Sequence, residues 1–242
     1  EPIVRRALRW LVAGGVTDAV LNLHHRPETI CAVVGDGSDL GLRVRYSLEN
    51  PVLGSAGGPR RALPLLDADR FFIVNGDTLT DLDLGALAAE HRQSGALVTL
   101  AVVPNRRPEH YGGVIADERG AVTRFTGRGG PASSWHFIGI QAVEAETFAG
   151  VSPDEPAESV AWLYPALIGR RPGSVRIAPC DASFADIGRP ADYLATSLAF
   201  AERLAAASSS GVPGPPPLTG VRCRIAPSAR VVRSVLWDDV TV

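Results

Sequence analysis

"FFIVNGDTLTDLDL" (71–84) opens on four apolar residues and then turns abruptly into Asn75-Gly76-Asp77. A short unbroken apolar run bounded by turn residues predicts a buried strand of the kind found in parallel sheets. That strand ends on carboxylates, Asp77, Asp81 and Asp83. Acids in such a place either cap the next turn and helix or hold something positively charged. Asp83 is placed to N-cap a helix over 84–94, and Asp81 reads as a turn residue. Asp77, at the carboxyl end of the strand, is the candidate ligand for a divalent cation, with a turn cap as its alternative.

Outward from this stretch the chain alternates strands and helices. Towards the N-terminus, apolar residues at helical spacing from Ile3 to Val12 stop at Gly14-Gly15. A strand over 18–25 and a helix over 26–36, with Pro27 in its first turn, follow. A strand over 42–49 leads to the loop "LGSAGG" (53–58), and Pro59 is expected to start the next helix, through about Leu66. Beyond the opening stretch come a strand over 96–103, a hairpin in "GGVIADERGAVTRF" and a buried strand in "WHFIGIQAV". A helix over 157–170, a strand over 174–179 and a helix from Pro190 to Ala207 complete the pattern. It predicts an α/β fold: a Rossmann-like mixed, mostly parallel sheet with helices on both faces. The Pro/Gly/Ser-rich stretch 208–220 reads as a linker. In 221–242, Ile225 and Val231 have the spacing of a hexapeptide repeat and suggest the start of a left-handed β-helix.

Ligands of open α/β sheets sit beyond the carboxyl ends of the strands. Asn75, Gly76 and Asp77 lie at such an end. Gly54, Gly57 and Gly58, with Ser55 and Ala56 between, would let backbone approach a flat or phosphorylated ligand, or make an ordinary strand-to-helix turn. Asp186 in "FADIGRPADY" follows a strand and precedes a helix; it could face Asp77 across the sheet edge, or mark a helix entry. Arg128 in "RFTGRGGP" is either a solvated arginine or a phosphate ligand. "GDGSDLG" (35–41) follows a helix and precedes a strand, the reverse of a dinucleotide fingerprint, and is rejected.

The 242 residues are 45% hydrophobic with a formal net charge of −2 and contain no lysine, every Lys/Arg position being arginine. This balance carries no basic footprint for nucleic acid or an anionic membrane. No apolar run is long enough to span a bilayer. Cys31, Cys180 and Cys223 have neither zinc-ligand nor disulfide-framework spacing, which fits a reducing cytoplasm. Cys31 is expected as a small buried hydrophobe.

Five segments in order, "VLNLHHRPETI", "YSLENPVLGSAGG", "FFIVNGDTLTDLDL", "YGGVIADERGAVTRF" and "FADIGRPADYL", resemble the sugar-1-phosphate nucleotidylyltransferases (NDP-sugar pyrophosphorylases), and most closely the mannose-1-phosphate guanylyltransferase-like group. The resemblance covers about residues 1–207 and implies the nucleotide-diphospho-sugar transferase type of fold. It implies transfer of a nucleotidyl group from an NTP to a sugar 1-phosphate with release of pyrophosphate. Asp77 and Asp186 would hold Mg²⁺. Gly54, Ser55, Ala56, Gly57 and Gly58, with Asn75 and Gly76, would meet the nucleotide. Tyr111, Gly112, Arg128 and His136 would line the sugar-phosphate pocket. A β-helix tail would suit a homo-oligomer.

The sequence departs from that family at Gly127 and Arg128, which stand where an acid and a lysine are usual, and at His136, where asparagine is common. It also begins at residues that look like those just after the family's glycine-rich signature loop, so the chain is expected to be a fragment inactive by itself. Two rivals are a non-catalytic nucleotide-sugar-binding regulatory relative and a metal-dependent glycosyltransferase using Asp81-x-Asp83.

Overall fold

The structure is a computed structural model that describes residues 1–207 and 218–242. The expected linker therefore lies mostly outside the described residues. The chain divides into two compact units, Glu1–Phe184 and Ala185–Val242.

The first unit runs α1 (Ile3–Ala13), β1 (Asp18–Leu23), α2 (Pro27–Val34), β2 (Arg43–Leu48), α3 (Gly54–Leu66), β3 (Arg70–Val74), β4 (Thr78–Thr80), α4 (Leu84–Ser94), β5 (Val98–Pro104), β6 (Gly113–Ala116), β7 (Val122–Thr126), β8 (Trp135–Glu144), α5 (Tyr164–Arg170) and β9 (Val175–Pro179). A short strand, β10 (Phe184–Asp186), starts at the last residue of this unit. A π-helical turn, Ser159–Leu163, precedes α5, so the helix expected over 157–170 forms in two pieces.

The central sheet has six strands, in the order β7-β6-β8-β5-β9, with β3 also paired to β8. It is mixed, as expected, and four strands (β3, β5, β6 and β9) point one way. Most neighbouring pairs are nevertheless antiparallel, because the long β8 runs in the opposite direction between them. Only β5 and β9 make a parallel ladder within this sheet, while β1 and β2 form a separate parallel pair. β3 bonds to β8 alone among the described strands, so Phe71–Val74 are half-buried rather than fully enclosed.

Side chains alternate across the sheet with the period of two that a strand imposes. On β5, Val98, Leu100 and Val102 pack on one face with Phe148, Tyr164 and Val175, whereas Ala101 joins Leu84 and Leu87 of α4 on the other. Helices thus cover both faces. A third apolar cluster fastens α1 and α2 onto β1 and β2 through Leu8, Val34 and Val44. Cys31 on α2 is only half-buried, contrary to expectation.

The start of α3 also differs from expectation. It begins at Gly54, and both Pro59 and Pro64 lie inside it. A proline inside a helix removes one intrahelical bond and costs about 3 kcal/mol. Here tertiary contacts set the boundary: the Ala157 carbonyl accepts from Ala56 and Gly57 N–H at 2.8 and 3.2 Å, and Glu49 accepts from Leu53 N–H at 2.8 Å.

In the second unit α6 (Pro190–Ala207) follows β10, and β11 (Leu218–Thr219) pairs in parallel with β12 (Val235–Leu236). The pairings Leu218 to Val235, and Arg224 to Thr241 at an isolated bridge, each join residues seventeen apart. Leu218–Thr219, expected as linker, form a strand here, and the pairings do not by themselves establish the expected left-handed β-helix.

Candidate functional site

The three acids of the opening stretch separate by partner. Asp83 N-caps α4, its carboxylate accepting from Ala86 N–H at 3.0 Å. Asp81 accepts from Ser183 N–H at 2.7 Å and Ser183 O–H at 2.6 Å, which pins the strand-to-helix loop to the end of the first unit. Asp77 is exposed, and its carboxylate has no hydrogen bond or ion pair among the described residues. The pair Asp81-x-Asp83 is thus committed to structure, which removes the basis of the glycosyltransferase reading.

The turn that presents Asp77 is fixed against β8. Asn75 N–H donates to the Gly139 carbonyl at 2.9 Å, and Asn75 C=O accepts from Thr78 N–H at 3.2 Å. Gly139 has φ +82°, and a Cβ there would stand 2.7 Å from the Asn75 amide nitrogen. Gly76 has open space around it and no positive φ, so the backbone does not require glycine at this position. The exit from β3 is made by the turn at Asn75, closed by the bond from Thr78 N–H.

At the start of α3 the glycines serve packing. A Cβ on Gly54, whose φ is +75°, would lie 2.8 Å from the Ala157 carbonyl, and one on Gly57 would lie 2.8 Å from the Glu155 carbonyl. A Cβ on Gly58 would meet the Glu49 carboxylate at 2.5 Å. Ser55 Oγ donates to Glu158 at 2.6 Å and accepts from Ser159 N–H at 2.8 Å. The N–H groups of Ala56 and Gly57, which the sequence offered to a ligand, are therefore already paired.

Three expected pocket residues come together. The Tyr111 and His136 rings lie 4.1 Å apart between centroids, and His136 hydrogen-bonds the Gly112 backbone. Burial pushes the His136 pKa down, against a weaker upward pull from Gly112, so the ring favours the neutral form. Phe184 completes the group, 5.0 Å from His136. Sequence reasoning missed Phe184, although it stands two residues before Asp186 in a segment already singled out. Arg128 lies on a neighbouring loop, joined to the Tyr111 loop where Gly129 N–H donates to the Pro108 carbonyl at 2.8 Å. Asp186 is exposed in the second unit.

Among the described residues no group of three or more His, Cys, Asp and Glu side chains could cage a metal ion. A Mg²⁺ held mainly by substrate phosphates and water needs only one or two carboxylates, and the uncommitted Asp77 has the hard oxygen chemistry for that role.

A family model described as "Nucleotidyl transferase" matches residues 1–134. The chain belongs to the nucleotidyl transferase family. Relatives of this chain include the mannose-1-phosphate guanylyltransferase of Mycobacterium tuberculosis, 30% identical over 80% of this chain and 54% of that protein. A UTP–glucose-1-phosphate uridylyltransferase of Synechocystis is 28% identical over the same shares. The chain thus spans about half the length of these curated relatives. Among solved structures, HddC from Yersinia pseudotuberculosis complexed with GMP-PN superposes with a TM-score of 0.71 at 21% identity, covering 83% of this chain and 86% of that one. The fold expected from the sequence is that of these transferases. No helix among the described residues is long and apolar enough to cross a membrane.

Proposed function

We propose that this nucleotidyl transferase joins a sugar 1-phosphate to an NTP, with mannose 1-phosphate and GTP as the favoured pair. A phosphate oxygen of the sugar phosphate attacks the α-phosphorus, the bond to the β-phosphate oxygen breaks, and pyrophosphate leaves. The observation that carries the reading is the pairing of a free carboxylate with an aromatic recess along one strand. Gly139 of β8 fixes the turn bearing Asp77, and His136, three residues earlier, carries Tyr111 and Phe184. Three residues of strand span about 10 Å, the length of a hexose phosphate. Guanylyl transfer is favoured because mannose-1-phosphate guanylyltransferases recur among the relatives.

In this reading Asp77 would hold Mg²⁺, and Asp186, which the family resemblance also implies as a ligand, belongs to the second unit. Bound there, the ion neutralises charge on the triphosphate. The rest is positioning: Tyr111, Gly112 and His136 orient the sugar, Arg128 meets its phosphate, and the open space at Gly76 admits the nucleotide. The start of α3 contributes a fixed wall rather than N–H donors. The test is pyrophosphate release with Mg²⁺ by the full-length protein that contains this chain, across the common ribonucleoside triphosphates and dTTP against mannose, glucose and N-acetylhexosamine 1-phosphates. Release that depends on one pair, and disappears in Asp77→Asn without loss of thermal stability, is the expected outcome. No release from folded protein, or release that survives Asp77→Asn, overturns the proposal.

A further inference from the structure

The loop that ends in Tyr111 carries more positive charge than one sugar phosphate requires. Asn105, buried at 4% exposure, shapes it: Oδ1 accepts from Arg107 N–H at 3.3 Å and Nδ2 donates to Ser134 Oγ at 3.1 Å. The Arg107 carbonyl in turn accepts from His110 and Tyr111 N–H at 2.8 and 3.0 Å. This folds Arg107 back so that its guanidinium lies 5.9 Å from the centroid of the Tyr111 ring, while His110 meets the same ring edge-on. The bond from Gly129 to Pro108 brings in the loop of Arg128, and Gly127 beside it has no side chain and open surroundings.

These cations are largely uncommitted. Arg106 and Arg128 are exposed and make no side-chain hydrogen bond or ion pair among the described residues. The nearest acid to Arg107 is Glu109, at a loose 3.9 Å with both side chains more than half exposed. A sugar hydroxyl both donates and accepts, whereas guanidinium only donates and pairs best, through two parallel bonds, with a carboxylate or phosphate. With the 1-phosphate assigned to Arg128 in the reading above, Arg107 beside the Tyr111 ring and Arg106 next to it in sequence are left without a matching group.

We infer that the preferred sugar 1-phosphate carries a second anionic group, a carboxylate or a further phosphate, bound by Arg106 and Arg107. This rests on the sugar-phosphate site proposed above and names the class of sugar that it takes. Mannose 1-phosphate then remains the favoured sugar among those without a second anionic group.

Calorimetric titration of the chain with glucose 1-phosphate, glucuronic acid 1-phosphate, glucose 1,6-bisphosphate and inorganic phosphate tests it. At least one of the two doubly anionic sugars is expected to bind about tenfold or more tightly than glucose 1-phosphate, as one added charge-assisted bond provides. The tighter of the two identifies the second group as carboxylate or phosphate. Arg106→Gln and Arg107→Gln should each reduce that ratio towards one, and Arg107→Lys, which keeps the charge but not the planar fork, should restore part of it. Arg106 touches no described partner, so its variant reads recognition rather than folding. A ratio near one in the parent, or one unchanged in both glutamine variants, overturns the inference and leaves the site standing. If no sugar phosphate binds better than inorganic phosphate, the site assignment itself fails, and the inference with it.

Discussion

Substituting Gly57→Ala separates a glycine kept for packing from one kept for a ligand. The new Cβ would stand 2.8 Å from the Glu155 carbonyl oxygen, 3.0 Å from Leu53 Cβ and 3.4 Å from Ala157 N. The nearest atom is backbone, so relief requires segment 155–157 to move. That movement strains the bonds from Ala56 and Gly57 to the Ala157 carbonyl and from Ala157 N–H to the Leu53 carbonyl. Overpacking of this kind costs about 1–3 kcal/mol, and partial weakening shared among these bonds, equivalent to one lost hydrogen bond, adds about 1 kcal/mol. Alanine's better helix propensity returns about 1 kcal/mol. The net expectation is a loss of about 1–3 kcal/mol, or a fall in Tm of roughly 2–10 °C for a unit of this size. Gly169→Ala is the control. It lies in α5, exposed, with nothing within 4 Å of its Cβ position. There the same change should stabilise by up to about 1 kcal/mol. Urea unfolding followed by tryptophan fluorescence, with calorimetry for Tm, measures both variants. If Gly57→Ala matches Gly169→Ala in sign and size, segment 155–158 is not seated on α3. The α3 glycines would then again be available as a ligand cradle.

Two further outcomes concern stability. Removing the Asp83 cap by Asp83→Ala should cost about 1 kcal/mol in urea unfolding, and a change below about 0.3 kcal/mol would show that the Ala86 N–H is satisfied in another way. His91 is buried at 1% exposure, with Nδ1 2.8 Å from Thr99 Oγ1 and Nε2 3.3 Å from a Glu144 carboxylate that also accepts from Arg70 at 2.6 Å. Burial lowers its pKa more than Glu144 raises it. The unfolded chain therefore binds this proton more readily. The stability is full above the unfolded value of about 6.5 and falls as pH drops through the lower folded value. His136 shifts the same way, so His91→Gln should flatten part of the acid limb of a stability–pH curve, and an unchanged slope would show that His91 does not titrate with unfolding.

Much of the fold was legible because its signals are local. The N-cap at Asp83, the glycine stop after α1, the hairpin of β6 and β7 and the span of α6 from Pro190 to Ala207 depend on residues within a turn or two of each other. The site was legible in part. Tyr111, Gly112 and His136 were singled out and do come together, while Phe184 escaped because only its place in space connects it with them. The glycines at 54, 57 and 58 were recognised as places of close approach, but what approaches them could not be read from their neighbours in sequence.

The amino-acid sequence by itself determined the alternation of strands and helices and the position of the acids at the end of β3. Apolar periodicity, caps and turn residues act over a few positions, and their free energies do not depend on the rest of the chain. Tertiary structure alone decided that β8 runs against its neighbours and that α3 starts ahead of its proline. It also gave Asp81 a partner 102 residues away while leaving Asp77 free. Those outcomes depend on which distant backbone groups and side chains are left unpaired when the sheet closes, and that is settled only by packing the whole unit at once.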